Sequence, residues 1–213
     1  MPRRYLLWDH DGVLVDTERL YFEATRKVLG TIGVELLQDT YLEYMAEGRL
    51  CWDLARSRGI SEGRIAEHRA RRNSLYQEML RSERIEIAGV KEVLAELGAS
   101  HRMAIVTSAR RADFDLIHES SGLPEFFEFS LTTEDYARSK PHPDPYLAAL
   151  ERFGAHPREA LALEDSLRGL RSACRAGLEC LVVRSPFTAS QDFAMAWRVV
   201  DSIREVPALL DVA

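Results

Sequence analysis

The chain has 213 residues, 46% of them hydrophobic and 29% charged, and its 28 Lys+Arg against 34 Asp+Glu give a formal net charge of −6. That composition excludes intrinsic disorder, collagen-like repeats and a coiled coil, and the length fits one large domain or one domain carrying a smaller insertion. The acidic balance gives no electrostatic reason to expect a nucleic-acid duplex or an anionic membrane as partner, and no apolar run approaches the roughly 18–20 residues of a membrane span. The N-terminal stretch MPRRYLLWDHD lacks the long apolar run of a signal peptide. Cys51, Cys174 and Cys180 show no CxxC spacing and cannot all pair, so a reduced, cytoplasmic compartment is expected. Lys27, Lys91 and Lys140 are the only lysines, so any chemistry that needs one has three candidates.

Residues 4–8 (RYLLW) are a short apolar run ending abruptly in DHDGVLVDT, which predicts a buried strand feeding an acidic, glycine-containing loop. Residues 17–84 then change character. ERLYFEATRKVLGTIG, TYLEYMAEGRLCWDLARSRG and SEGRIAEHRARRNSLYQEMLRSERI have helical spacing, punctuated at Gly30, Gly33, Gly59 and Gly63. Leu20, Ala24, Val28 and Ile32 fall at four-residue steps on one helix face. With no strand interrupting it, this block predicts an all-helical insertion. The basic stretch RIAEHRARR, with Glu62, Glu67, Glu78 and Glu83 around it, reads as a solvated helix face.

From Gly89 onward the pattern alternates. VKEVLAELGAS reads as a helix, HRMAIVTSA as a strand, FDLIHESSG as a helix and FFEFSLTT as a short strand. DPYLAALERFG follows as a helix with Asp144 as its N-cap, then ALALEDS as a strand, LRGLRSACRAG as a helix, LECLVVRS as a strand and a short helical C-terminus. Such alternation predicts an α/β fold, a Rossmann-like doubly wound parallel sheet with an inserted all-helical domain. The boundaries are 1–15 and 86–213 for the core and 16–85 for the insertion.

Sheets of this kind bind ligands beyond the carboxyl ends of their strands. The first strand ends in Asp9, His10, Asp11 and Gly12, and the second in Thr107 and Ser108. A loop after the third carries Lys140 in SKPHPDP, and the fourth ends in Glu164 and Asp165. Taken singly, Asp11-Gly12 reads equally as a turn, Glu164-Asp165 as solvated loop charge and Thr107 as a satisfied strand-end hydroxyl. Taken together, they place up to four carboxylates, one hydroxyl and one ammonium around a single crevice. Clustered carboxylates repel one another, and a hard divalent cation, naturally Mg2+, is the expected compensation.

DHDGVLVDTE, VTSA, SKPHPDPY and LEDSLRGLRSACRAG together resemble, in order and spacing, the four motifs of the haloacid dehalogenase superfamily. The likeness covers essentially the whole chain and is greatest to members with a small helical cap after the first motif, the phosphatase and beta-phosphoglucomutase-like subgroup. The resemblance implies Asp9 as nucleophile forming an aspartyl-phosphate and Asp11 as general acid and base. It further implies Thr107 as a phosphate ligand and Lys140 as the group offsetting nucleophile and phosphoryl charge. The metal would be held by Asp9, the Asp11 carbonyl and Asp165, with Glu164 supporting it directly or through water.

Within that family, Asp11 disfavours dehalogenation, since a halide leaves without protonation. Lys27 is poorly placed for the imine chemistry of phosphonate hydrolysis. The mutases typically carry a histidine in the first cap helix, and none stands in Glu18–Phe22. The expected function is therefore Mg2+-dependent hydrolysis of a small phosphorylated metabolite, a sugar phosphate or phosphorylated acid, by a monomer or homodimer. A phosphomutase is the first alternative and a non-catalytic phosphate-ligand binder the second. Arg49 is a candidate for an anionic group on the substrate, as is Ser108. His10 stands between the two aspartates, either lining the leaving-group side or pointing into the sheet or toward the cap.

Overall fold

The computed structural model describes residues 3–119 and 121–210. The chain divides into two compact units, Met1–Asp16 with Glu86–Ala213, and Thr17–Ile85. In chain order the elements are β1 (Tyr5–Trp8), α1 (Glu18–Gly30), α2 (Gln38–Glu47), α3 (Asp53–Arg56), α4 (Glu62–Ser82), α5 (Val90–Gly98), β2 (Arg102–Val106) and α6 (Arg111–His118). They continue with β3 (Phe129–Leu131), α7 (Asp144–Phe153), β4 (Ala160–Glu164), α8 (Leu167–Arg175), β5 (Glu179–Val183), β6 (Arg198–Val200) and α9 (Val206–Leu210).

The six strands form one parallel sheet in the order β3-β2-β1-β4-β5-β6. β1 sits in the middle, Tyr5 to Trp8 pairing with Arg102 to Ile105 on one side and Ala160 to Leu163 on the other. The chain winds outward from β1 through β2 to β3, then returns to β4 and winds the other way. β1 and β4 therefore flank the switch point, where a doubly wound sheet opens a crevice at its carboxyl edge. Helices cover both faces, so the central strands are apolar on both sides. Leu6, Leu7, Trp8, Ala104, Ile105, Val106, Leu161, Ala162 and Leu163 are all completely buried. α5 presents Val90, Val93, Leu94 and Leu97 to the core at helical spacing.

In the unit Thr17–Ile85, α1 packs on α4. α1 buries Leu20, Ala24, Thr25, Val28 and Leu29, and α4 buries Ile65, Arg72, Tyr76 and Leu80. Arg72, from the basic stretch expected to be solvated, is instead buried. Its guanidinium lies 4.1 Å from the centre of the Tyr21 ring and donates to Thr25 Oγ1 at 3.2 Å. The arginine's apolar stem and flat head suit it to such a packed position.

Three local readings are corrected. The second helical stretch is two helices, because α2 ends at Gly48 in a left-handed conformation with φ 72°. Asp144 is not an N-cap: α7 follows Pro143 with no side-chain cap, and Asp144 pairs with Arg138 at 2.9 Å. The C-terminal region contributes a sixth strand, β6, whose three residues are too few to show a periodicity. The two core segments flanking the insertion are joined by an antiparallel bridge between Val15 and Glu86.

Candidate active site

The site grows from the carboxyl edge of β1. The Asp9 amide donates to the Leu163 carbonyl of β4 at 2.8 Å, holding Asp9 at the switch point. The next residues fold back, with the Gly12 amide on the Val15 carbonyl at 2.7 Å and the Leu14 amide on the His10 carbonyl at 2.9 Å. Gly12 has φ +86°, and a Cβ there would lie 2.0 Å from Asp165 Oδ2. Both the backbone conformation and the close approach of Asp165 therefore require glycine.

Lys140 is the centre of the arrangement. Its ammonium donates to Asp9 Oδ1 at 2.6 Å, Glu164 Oε1 at 2.7 Å and the Val106 carbonyl at 2.8 Å, and it is 3% exposed. An ammonium has three protons, and all three are engaged. Lys140 thus fixes the rotamer of Asp9 and supplies positive charge rather than a spare donor. Glu164, fully buried, also accepts from the Tyr146 hydroxyl at 2.6 Å. A Cβ on Gly169, in the first turn of α8, would fall 1.9 Å from the Glu164 carboxyl carbon, so the missing side chain makes room for the carboxylate. Asp165 is anchored through Ser185 Oγ, which donates to its Oδ2 at 2.9 Å, and Thr188 Oγ1, which donates to its carbonyl at 2.6 Å.

Asp9, Glu164 and Asp165 each offer a carboxylate oxygen, and these oxygens lie within 4.8 Å of one another. Burial, and then the neighbouring Glu164, push the Asp9 carboxyl up from 3.8 to about 7 although Lys140 draws it down. Burial lowers the Lys140 ammonium, but Asp9 and Glu164 outweigh it and hold the group above its ordinary value. One ammonium therefore undercompensates this carboxylate cluster. A compact, all-oxygen, surplus-negative donor set fits a hard divalent cation.

The end of β2 adds hydroxyls. Thr107 Oγ1 donates to Asp11 Oδ2 at 3.2 Å and accepts from the Ala109 amide at 2.9 Å. The Thr107 carbonyl accepts from Tyr136 at 2.6 Å. Ser108 Oγ lies near Tyr136 but is buried without a hydrogen bond of ordinary geometry. His10 is fully buried, with Nδ1 3.3 Å from Asp11 Oδ2 and Nε2 2.9 Å from His118 Nε2, so its ring nitrogens face protein groups. Arg49 belongs to the other unit, where it lies 3.8 Å over the Tyr44 ring and 3.2 Å from Glu47.

The core unit thus brings together Asp9, Asp11, Thr107, Lys140, Glu164 and Asp165, with His10 and Ser108 behind them. Sequence reasoning missed Tyr136, Tyr146, Gly169, Ser185 and Thr188. Ser185 was open to discovery, since it stands two residues past the end of β5, near a strand end like the others.

A doubly wound sheet with aspartates at the end of β1, a hydroxyl after β2, a lysine before α7 and an acidic pair after β4 defines a class. Residues 6–183 match the haloacid dehalogenase-like hydrolases, and the chain belongs to that family. Protein CbbY of Rhodobacter capsulatus is 32% identical over 214 residues, spanning 94% of each chain. A phosphorylated carbohydrates phosphatase of Thermotoga maritima is 29% identical over 82% of each. A crystal structure of a mutant CbbY from Rhodobacter sphaeroides with xylulose-1,5-bisphosphate superposes with a TM-score of 0.79, at 27% identity and 95% coverage of both chains.

Proposed function

We propose that the protein hydrolyses phosphate monoesters of small sugars or related metabolites through a phosphoaspartate on Asp9. The observation that carries this reading is the Asp9 carboxylate held by Lys140 within 4.8 Å reach of the Glu164 and Asp165 oxygens. The sugar-phosphate relatives support the substrate class.

A carboxylate oxygen of Asp9 attacks phosphorus as the bond from phosphorus to the ester oxygen breaks, and Asp11 gives its proton to that departing oxygen. Asp11 then takes a proton from water as the water oxygen attacks phosphorus, and the bond between phosphorus and Asp9 breaks, releasing phosphate and restoring both carboxyl groups. Lys140 keeps Asp9 aligned and offsets the negative charge gathered there. Asp9, Glu164, Asp165 and the Asp11 carbonyl would hold Mg2+, which when bound supplies the charge that lets an anionic phosphate approach an anionic nucleophile. The Ser108 hydroxyl serves the phosphoryl oxygens, while Thr107 spends its one hydroxyl proton on Asp11 Oδ2. Residues 16–85 act as the family's cap, selecting substrate, with Arg49 exchanging Glu47 for an anionic substrate group. No described helix is long and apolar enough to cross a membrane, and the three free cysteines favour a reduced, cytoplasmic setting.

The test is phosphate release from a panel of phosphorylated sugars and acids, with and without Mg2+, by wild type and Asp9→Asn. Metal-dependent release lost in the variant is expected. Release that survives in Asp9→Asn would overturn the phosphoaspartate, and an isomerised sugar phosphate without release would overturn hydrolysis in favour of phosphate transfer within the substrate.

A further inference from the structure

A line of hydrogen bonds runs from the body of the core to the Asp11 carboxyl. The Leu123 amide donates to Ser121 Oγ at 3.2 Å, and Ser121 Oγ lies 2.6 Å from His118 Nδ1. His118 Nε2 lies 2.9 Å from His10 Nε2, and His10 Nδ1 lies 3.3 Å from Asp11 Oδ2. The rings are also packed. Phe114 and His118, four residues apart on α6, stand on the same helix face with centroids 4.5 Å apart. His10 sits against both, at 5.2 Å from Phe114 and 5.0 Å from His118.

One set of bond directions satisfies every member of the line. Asp11 Oδ2 accepts, because it already receives the Thr107 hydroxyl, so His10 carries its proton on Nδ1. With the proton on His10 Nδ1, its Nε2 can accept from a His118 Nε2–H. His118 Nδ1 in turn is an acceptor, matched by the Ser121 hydroxyl. Two histidine nitrogens within hydrogen-bond distance require one donor and one acceptor, and this assignment leaves no conflict along the line. Burial, and next the neighbouring His10, hold His118 far below its ordinary value, at about 3, so it stays neutral and can keep this tautomer.

We propose that His118 is a positioning residue for the general acid–base, fixing His10 as the Nδ1–H tautomer so that His10 and Thr107 together hold the Asp11 carboxyl through Oδ2. The inference rests on the reading of Asp11 as general acid–base, but the tautomers are observable without turnover.

Long-range nitrogen–proton NMR correlation of the imidazole rings in the full chain at neutral pH is the experiment. The expected spectrum has His10 protonated on Nδ1 and His118 on Nε2, with the six histidines assigned through single substitutions. His118→Leu is expected to lose the single His10 tautomer and lower kcat about tenfold at unchanged KM, a part of the factor general acid–base groups supply. His118→Gln, whose amide nitrogen can still donate to His10 Nε2, is expected to recover both the tautomer and most of kcat. A proton on His10 Nε2 in the wild type would overturn the inference, as would a His118→Leu variant with wild-type kcat. Should the wild-type tautomers appear as expected while no phosphate ester is turned over, the hydrogen-bond line stands and the hydrolase reading falls.

Discussion

The two units share exposed surface ion pairs but differ in the charge they bury. In the core unit Lys140 reaches Asp9, 131 residues away in sequence, and Glu164, 24 away, and all three are buried. In the unit 17–85 the ion pairs are exposed, whether local, as Arg26 with Glu23 at 2.8 Å and Arg56 with Asp53 at 2.5 Å, or distant in sequence, as Arg19 with Glu83 at 3.7 Å. Its buried cation, Arg72, is stacked on Tyr21 and bonded to neutral oxygens of Thr25 and Asn73. Exposed pairs are screened by water and bring little stability. Buried ones carry a desolvation cost that only bonding to every available proton and lone pair can offset. The network of the second kind is the one that the proposed mechanism uses.

The contrast can be broken most severely at Asp9. Asp9→Asn is expected to lower phosphate release by about 10³-fold or more, the scale on which losing a covalent nucleophile acts. The same variant also tests the charge surplus. Because the Asp9 carboxyl is raised to about 7 from 3.8, its contribution to stability is full below 3.8 and lost as pH rises through about 7. With a chelator present, Asp9→Asn should therefore melt higher than wild type at about pH 8, and the gap should close toward about pH 5. A variant that melts lower at the alkaline end would show that the carboxylate is fully compensated by Lys140.

Gly169→Ala comes next. Its methyl group would meet the Glu164 carboxylate at 1.9 Å, and a loss of about 2–3 kcal/mol by denaturant titration is expected, together with weaker Mg2+-dependent stabilisation. Unchanged unfolding would show that Glu164 has room to move. Tyr146→Phe removes one bond to the same buried carboxylate and should cost about 2 kcal/mol, with the midpoint shifting and the slope unchanged. At the small end, Arg56→Ala severs two surface pairs, to Asp53 and Glu62. No measurable change in Tm is expected, and a clear loss would mean that the inserted unit relies on its surface network after all.

Much of this was legible in sequence, for identifiable reasons. Strands buried on both faces write themselves as RYLLW or ALALE, and the polar residues that follow stand out against them. Lys140 was conspicuous because only two other lysines compete with it. What stayed hidden depends on distance in space. Tyr146 and Thr188 are ordinary residue types whose importance comes from reaching Glu164 and Asp165, 18 and 23 positions away. Gly169 reads as a tolerated glycine in a helix until the carboxylate beside it is seen. Arg72 looked solvated because its neighbours in sequence are charged, yet it lies on the buried face of α4. His10 was noticed as unusual, but its partner His118 lies 108 residues on and neither forms a motif with the other.

The bridge between Val15 and Glu86 closes the base of the insertion. It seals the core across the very point where residues 17–85 are inserted, so the core's strands meet whether the intervening chain is long or short. Closing a loop grows harder only with the logarithm of its length, and doubling such an insertion adds about 0.6 kcal/mol. The seam therefore acts as a clasp, which leaves the closure of the core only weakly dependent on how long the inserted stretch is.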